Sequence, residues 1–429
     1  MSPALDHGLP VAQPLSRGLR YHGTMYVIHC GTLVDGVREA PIDDGRVVAE
    51  NGRVVDAGPA DEVDVPEDAE PIDHSRETVI PGLIDAHLHL WGSRSMEPFD
   101  WLRESSELGT ARATADLRTL LTAGFTTVRD VGSETGLALR EAVDDGTIPG
   151  PRVFTSWRSL SQTGGHGDSH YLPYEWATGE AAGAGLADGA DECRKEARKR
   201  IREGVDLIKI MTTGGVLSEK DAPDQSQFTD EEIRAFTEEA HRVGIPVASH
   251  AQGAPGIKSA LRNGVDTIEH GFYIDEECLE LFEETGAVFV PTLSIMHRLV
   301  TEGADHGVPE YGLEKARNAR DAHWDATRRA YEAGIPIALG TDFIGPDLVP
   351  HGMNAMEAEL FVEEIGMSEH EAILAGTATA AKTVAADDIG TLEEGNYADF
   401  VAFEDSPLED ISNLREPDTV YKGGEAVGL

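Results

Sequence analysis

From Val79 to about Ala385 the chain repeats one pattern, a short apolar run followed by a segment long enough for a helix. The apolar runs are Val79–Leu90, Thr126–Asp130, Arg152–Ser156, Leu207–Met211, Val247–His250, Thr267–His270, Val288–Pro291 and Ile337–Thr341. Between them lie helix-length segments such as Ala111–Ala123, Asp191–Glu203, Thr229–Val243 and Lys315–Ala333, and Thr229 with Glu232 has capping-box spacing. Eight strands alternating with helices over some 300 residues predict an α/β fold, the (β/α)8 TIM barrel. A doubly wound sheet competes, but no Gly-x-Gly-x-x-Gly turn follows an early run.

The flanks read differently. Met25-Tyr-Val-Ile-His-Cys30 is strand-like, and Asn51-Gly52, the strongest short hairpin signal, separates Arg46–Glu50 from Arg53–Ala57. Short β runs return after Gly390, at Tyr397–Phe403 and Val420–Lys422, with turns at Glu394-Gly395 and Gly423-Gly424. These predict a small β-sandwich domain assembled from both chain ends, residues 25–78 and 388–429, beside a barrel of residues 79–387. Residues 1–24, rich in Pro, Gly and polar groups, are read as a poorly ordered extension, with Met25 an alternative start.

Thirty-five basic against 78 acidic side chains give a net charge of −43. That charge excludes a nucleic-acid backbone or an anionic membrane as partner. The acids are spread along the whole chain, so they read as a halophilic adaptation, since screening shrinks to about 3 Å at 1 M salt. No run approaches the ~18 apolar residues of a membrane span, and residues 1–24 lack the apolar stretch of a secretory signal. Cys30, Cys193 and Cys278 are odd in number and dispersed, which fits a reduced, cytoplasmic setting.

The chemistry-bearing residues gather at strand ends. His87 and His89 stand two apart on the first run and so project from one face. His250 closes the fifth run, His270 the sixth, and Asp342 follows the eighth. In a barrel these ends meet at one face, where barrel active sites are built. Four imidazoles and a carboxylate in one cavity are costly to bury unless paired or bound to metal, and neutral imidazole suits zinc. The plain alternative for any one of them is a hydrogen-bonded core histidine. Lys209 sits in the apolar run Asp206-Leu-Ile-Lys209-Ile-Met211, where a buried ammonium sheds its proton readily. A free amine there adds CO2 to become a carbamate, an anionic oxygen ligand. The alternative is a structural lysine paired with a carboxylate such as Asp85.

Together, Pro81-Gly-Leu-Ile-Asp-Ala-His87-Leu-His89, Lys209, His250, His270 and Gly340-Thr-Asp342 resemble the amidohydrolase superfamily. Ser161-Gln-Thr-Gly-Gly-His166-Gly-Asp168, Ile208-Lys-Ile-Met-Thr-Thr-Gly-Gly215 and His250-Ala-Gln-Gly253 are similar to its imidazolonepropionase-related branch, which includes prolidase-like dipeptidases acting on Xaa-Pro, Xaa-Arg or Xaa-Lys and N-acyl amino-acid hydrolases. The resemblance implies a binuclear site holding two divalent ions, zinc first among them. His87, His89 and Asp342 would hold one ion, His250 and His270 the other, and carboxylated Lys209 would bridge them. A hydroxide between the ions would attack a carbonyl carbon, Asp342 would carry its proton to the leaving amine, and His166 would donate to the oxyanion.

The implied activity is hydrolysis of amide-type C–N bonds, in dipeptides or N-acyl amino acids. Hydrolysis of a cyclic amide, imidazolone or lactone is the alternative. A deaminase wants an acid shortly after His250, which His250-Ala-Gln-Gly253 lacks, and an inactive binding protein would miss a ligand. Arg129 is a candidate for a substrate carboxylate or for pairing with a barrel acid. Tyr171 and Tyr273 are candidate pocket walls. Some dipeptidases of the branch carry a tyrosine two residues beyond the strand-five histidine; Gln252 stands there in this chain. A small-molecule substrate and a homo-oligomer complete the expectations.

Overall fold

The structure, a computed structural model, describes residues 24–177 and 185–428. The extension expected over residues 1–24 therefore lies, apart from Thr24, outside the described residues.

Strands from both ends of the chain share one seven-stranded sheet. In chain order these are β1 (Met25–Leu33), β2 (Ile42–Glu50), β3 (Arg53–Pro59) and β4 (Glu70–Pro81), then, after the central region, Phe400–Phe403, Thr419–Lys422 and Glu425–Ala426. Phe400–Phe403 pairs antiparallel with the last residues of β4, which joins the C-terminal strands to the N-terminal ones. Asn51 (φ 53°) and Gly52 (φ 78°) turn β2 into β3, the two left-handed residues that a tight hairpin requires. Ile28, Leu33, Val47, Val79, Phe400 and Tyr421 pack into a common core. The expected strand Tyr397–Phe403 begins only at Phe400; Tyr397 makes an isolated antiparallel bridge with Arg53, and its ring lies between two guanidinium groups, Arg53 at 3.5 Å and Arg152 at 3.6 Å.

The central strands are parallel throughout. β5 (Leu83–Leu88), β6 (Phe125–Asp130) and β7 (Arg152–Thr155) form one sheet. β8 (Leu160–Ser161), β9 (Gly185–Leu186), β10 (Ile208–Met211), β11 (Val247–Gly253), β12 (Thr267–Tyr273) and β13 (Val288–Val290) form another. The third run breaks at Trp157 (φ 56°) and resumes as β8. The Asp206 N–H donates to the Thr155 carbonyl at 2.9 Å, and the Thr155 N–H to the Asp206 carboxylate at 2.9 Å, linking β7 to the start of β10. Segment 337–343, expected as the eighth strand, makes only two isolated parallel bridges, Phe289 with Ile337 and Leu88 with Phe343. Backbone bonds nevertheless tie it to both neighbours: the Ala86 N–H donates to Leu339 at 2.8 Å and the Ala338 N–H to Phe289 at 2.9 Å.

Helices Ser106–Thr122, Ala190–Glu203, Asp230–Arg242 and Glu310–Glu332 cover these strands. Thr229 and Glu232 make both halves of the capping box, worth about 1 kcal/mol, and the helix they start buries Ile233, Phe236 and Ala240 at helical spacing. Among the described residues no helix is long and apolar enough to cross a membrane. The three cysteines are free and buried.

Candidate metal centre

Four imidazoles, one carboxylate and one amine meet at the C-terminal ends of the central strands. His87 and His89 leave β5 on the same side, their rings 5.7 Å apart. The His270 ring, at the bend of β12, is 5.0 Å from that of His87 and 4.5 Å from that of His250 on β11. Asp342 reaches in from the segment beside β5, its Oδ1 3.0 Å from His89 Nε2 and 3.4 Å from His87 Nε2. One ligand atom from each of His87, His270 and Asp342 lies within 4.8 Å of the others.

Each histidine has one nitrogen anchored by a neighbouring group, and the second nitrogens of His87 and His89 face Asp342. His87 Nδ1 is bonded to Glu269 Oε2 at 2.6 Å, His89 Nδ1 to the Gly132 carbonyl at 3.0 Å and His270 Nδ1 to Thr292 Oγ1 at 2.8 Å. His250 instead ties its Nε2 to the Gly214 carbonyl at 3.2 Å. A neutral imidazole donating through one nitrogen offers a lone pair on the other, the arrangement by which protein groups orient metal-binding histidines. Burial holds His250 and His270 well below the usual histidine range, which keeps them neutral and able to ligate. Burial works to raise the Asp342 carboxyl, but His87 and His89 outweigh it and hold it far below the usual range.

Lys209, on β10, is 3% exposed, and its Nζ has no hydrogen-bond partner among the described residues. Burial pushes its ammonium down to about 8, with Glu269 and Asp342 pulling the other way. Asp85, the structural partner weighed for it, is committed elsewhere, to the His87 N–H at 2.9 Å, Thr341 Oγ1 at 2.7 Å and Asn354 Nδ2 at 2.6 Å. A buried nitrogen left unbonded among acids and imidazoles fits a site completed by added groups, and the donor set (imidazole nitrogen and carboxylate oxygen) suits zinc and similar divalent ions.

Residues 78–427 match the amidohydrolase family. The chain belongs to that family. It is 35% identical over 426 residues to an ochratoxinase of Aspergillus niger, covering 93% of this chain and 86% of the relative. An imidazolonepropionase of Geobacillus kaustophilus is 26% identical over 425 residues, 90% of each chain. The crystal structure of a Xaa-Pro dipeptidase with methionine bound in its active site superposes with a TM-score of 0.84 at 33% identity, over 95% of this chain and all of that one.

Within this amidohydrolase the remaining candidates fall in different places. His166, on the loop after β8, stacks on His250 with ring centroids 4.1 Å apart and planes 17° from parallel. A Cβ on Gly215 would overlap the His166 ring, so Thr212-Thr-Gly-Gly215 is the turn that brings backbone against it. Gln252 is buried beside Thr213, and its Oε1 has no partner among the described residues. Tyr171 packs edge-on against Phe99 at 5.4 Å, and Tyr273 stands exposed at the end of β12.

Of the two roles weighed for Arg129, the structure shows the pairing with a barrel acid, and the substrate-contact reading is corrected. It is 0% exposed, with Nη2 on Glu269 Oε1 at 2.8 Å, Nη1 on Thr267 Oγ1 at 3.0 Å and Nε on the Ala86 carbonyl. A guanidinium so committed is not offered to a substrate carboxylate; it neutralises the glutamate that orients His87.

Glu269 is the functional residue that sequence reasoning passed over. Strand alternation sets it on the face opposite His270, but His270 (φ 75°) and Gly271 (φ 59°) break the pleat, so both side chains approach His87. Thr292 and Asn354 were missed as well, because their roles depend on contacts far from the strand motifs.

Proposed function

We propose that this chain is a metal-dependent hydrolase of amide-type C–N bonds, with dipeptides or N-acyl amino acids as substrates. The observation that carries the reading is the cluster of His87, His270 and Asp342 together with a buried lysine nitrogen that has no hydrogen-bond partner among the described residues. His87, His89 and Asp342 would hold one ion and His250 and His270 a second, with Lys209 between them as a carbamate. In forming it, the Nζ lone pair bonds to the carbon of CO2, one C=O π bond opens, and a proton leaves the nitrogen. When bound, divalent ions (zinc is the expected pair) supply Lewis acidity and make water a nucleophile near neutral pH.

The chain's own groups then divide the work. Glu269, Gly132, Thr292 and Gly214 hold the imidazoles in single orientations, so little is left to reorganise during reaction. Asp342 takes the proton of the attacking water on its carboxylate and passes it to the leaving nitrogen. His166, stacked on His250, is the imidazole left for the substrate.

The strand pairings support a closed (β/α)8 barrel, with segment 337–343 as its eighth stave, and the seven-stranded sheet supports a composite β domain from both chain ends. A cytoplasmic, halophilic homo-oligomer acting on a small molecule is part of the same proposal. Ring opening of a cyclic amide or imidazolone is the second reading, favoured by the imidazolonepropionase relative and by Gln252 in place of the dipeptidase tyrosine.

The test is hydrolysis of a mixed library of dipeptides, N-acyl amino acids and cyclic amides in molar KCl with zinc and bicarbonate, read by mass spectrometry. Cleavage of linear amides supports the first reading. Turnover of cyclic compounds alone replaces it with the second.

A further inference from the structure

Behind His166 lies a buried chain of hydrogen bonds that the metal centre does not use. His166 Nδ1 is 2.9 Å from Ser218 Oγ. Ser218 Oγ has two further partners, the Asp221 Oδ1 carboxylate oxygen and the Gly215 carbonyl at 3.3 Å. Asp221, its side chain 3% exposed, also accepts from the Gly215 N–H at 3.2 Å and from Gln227 Nε2 at 3.1 Å. Gln227 closes the ring by accepting the His166 N–H on its Oε1 at 2.9 Å. Lys315 pins the same loop from the helix Glu310–Glu332, donating to the Ser218 and Asp221 carbonyls at 2.6 Å each and to the Gly215 carbonyl at 3.1 Å. Its Nζ lies 3.9 Å from Asp221 Oδ1, a half-buried cation facing a buried carboxylate.

With a carboxylate at Asp221, whose oxygens accept from the Gly215 N–H and Gln227 Nε2 and face Lys315, the proton count in this chain has one solution. A serine hydroxyl carries a single hydrogen, and both of Ser218's other partners are acceptors with nothing to donate. If that hydrogen pointed at His166, the bare Ser218 oxygen would face the carboxylate and the carbonyl at hydrogen-bond distance with no proton between them. The hydrogen therefore goes to Asp221 or Gly215, and Ser218 Oγ accepts from His166, which must carry its proton on Nδ1.

We propose that Ser218 and Asp221 are positioning residues that fix His166 as the Nδ1–H tautomer and leave Nε2 as its working atom. The neutral ring then meets a substrate as an acceptor through Nε2, the opposite sense from the oxyanion donation that the sequence suggests. Gly215 and the stacked His250 ring fix the plane in which that atom is presented. The tautomer stands independently of any substrate; its part in turnover rests on the amide-hydrolase reading.

The experiment is long-range proton–nitrogen correlation spectroscopy of the full, zinc-loaded chain labelled with ¹⁵N-histidine. Wild-type His166 is expected as the Nδ1–H tautomer. Ser218→Ala removes the acceptor of the Nδ1 proton, so part of the His166 population should move to the Nε2–H form. An Nε2–H signal in the wild type, or a pure Nδ1–H signal retained in Ser218→Ala, overturns the proposal. Should Ser218→Ala fail to fold, the wild-type tautomer decides by itself. On any linear amide that the wild type cleaves, Ser218→Ala should lower kcat by about 10²-fold with zinc content unchanged; turnover within twofold would remove these positioning residues from the reaction. A wild-type Nδ1–H signal with no amide cleaved would sink the hydrolase reading and leave the tautomer standing.

Discussion

His87 Nδ1 and Glu269 Oε2 are 2.6 Å apart, and the other oxygen of that carboxylate is 2.8 Å from Arg129 Nη2. One fully buried glutamate thus connects the His87 imidazole to a guanidinium in the strand interior. Burial alone would raise its carboxyl, but Arg129, Lys209 and His87 hold it below the ordinary glutamate range. It is therefore ionised, so His87 donates to it through Nδ1 and turns Nε2 toward Asp342.

Glu269→Gln keeps the shape and removes the charge. Zinc affinity should fall by about 10–100-fold, measured by competition with a chromophoric chelator. Arg129→Met, by contrast, should act on folding. It strands the Glu269 charge in the interior, and thermal and denaturant unfolding should show a loss of about 3–5 kcal/mol. A variant that kept full stability and raised only KM would restore Arg129 as a substrate contact.

Burial pushes the Lys209 ammonium down to about 8, so its reactive, unprotonated form grows through that pH. Only the amine adds CO2. Uptake of ¹³C-bicarbonate at Lys209 should therefore climb from about pH 7 to pH 9, roughly two units below an ordinary lysine. Lys209→Ala should lose both the ¹³C signal and paired metal binding. A variant with two ions and full turnover would exclude the carbamate.

Gly215→Ala places a methyl group where the His166 ring lies. Displacing a reacting group by about 1 Å costs up to about 10²-fold in rate, so turnover should drop by about that factor while zinc content stays at the wild-type level. Simultaneous loss of zinc would make His166 a ligand.

The net charge of −43 makes salt a stability variable. Screening at molar ionic strength relieves self-repulsion, so the thermal midpoint should rise between 0.1 M and 2 M KCl. A midpoint that fell with KCl would remove the halophilic reading.

Strand-end histidines were legible in the sequence because a period of two fixes their face and parallel strands bring their ends together. His87, His89, His250 and His270 needed only those two rules. Asp342 was legible as the residue after an apolar run, but its left-handed backbone (φ 58°) was not. Glu269 was hidden by the same period of two, which fails where His270 and Gly271 bend the strand. Arg129 looked available because charge in a strand can face either a ligand or a neighbour, and only the packing of Glu269 and Thr267 decides which. Ser218 and Asp221 carry no motif at all; their meaning comes from the loop that Lys315 folds under His166.

The most direct measurement is amide hydrolysis by the full chain before and after its metal is stripped with a chelator, in molar KCl with bicarbonate present. The account predicts that cleavage of the preferred linear amide disappears with the metal and returns as zinc approaches two equivalents per chain. Cleavage that persists in the metal-free protein would contradict it.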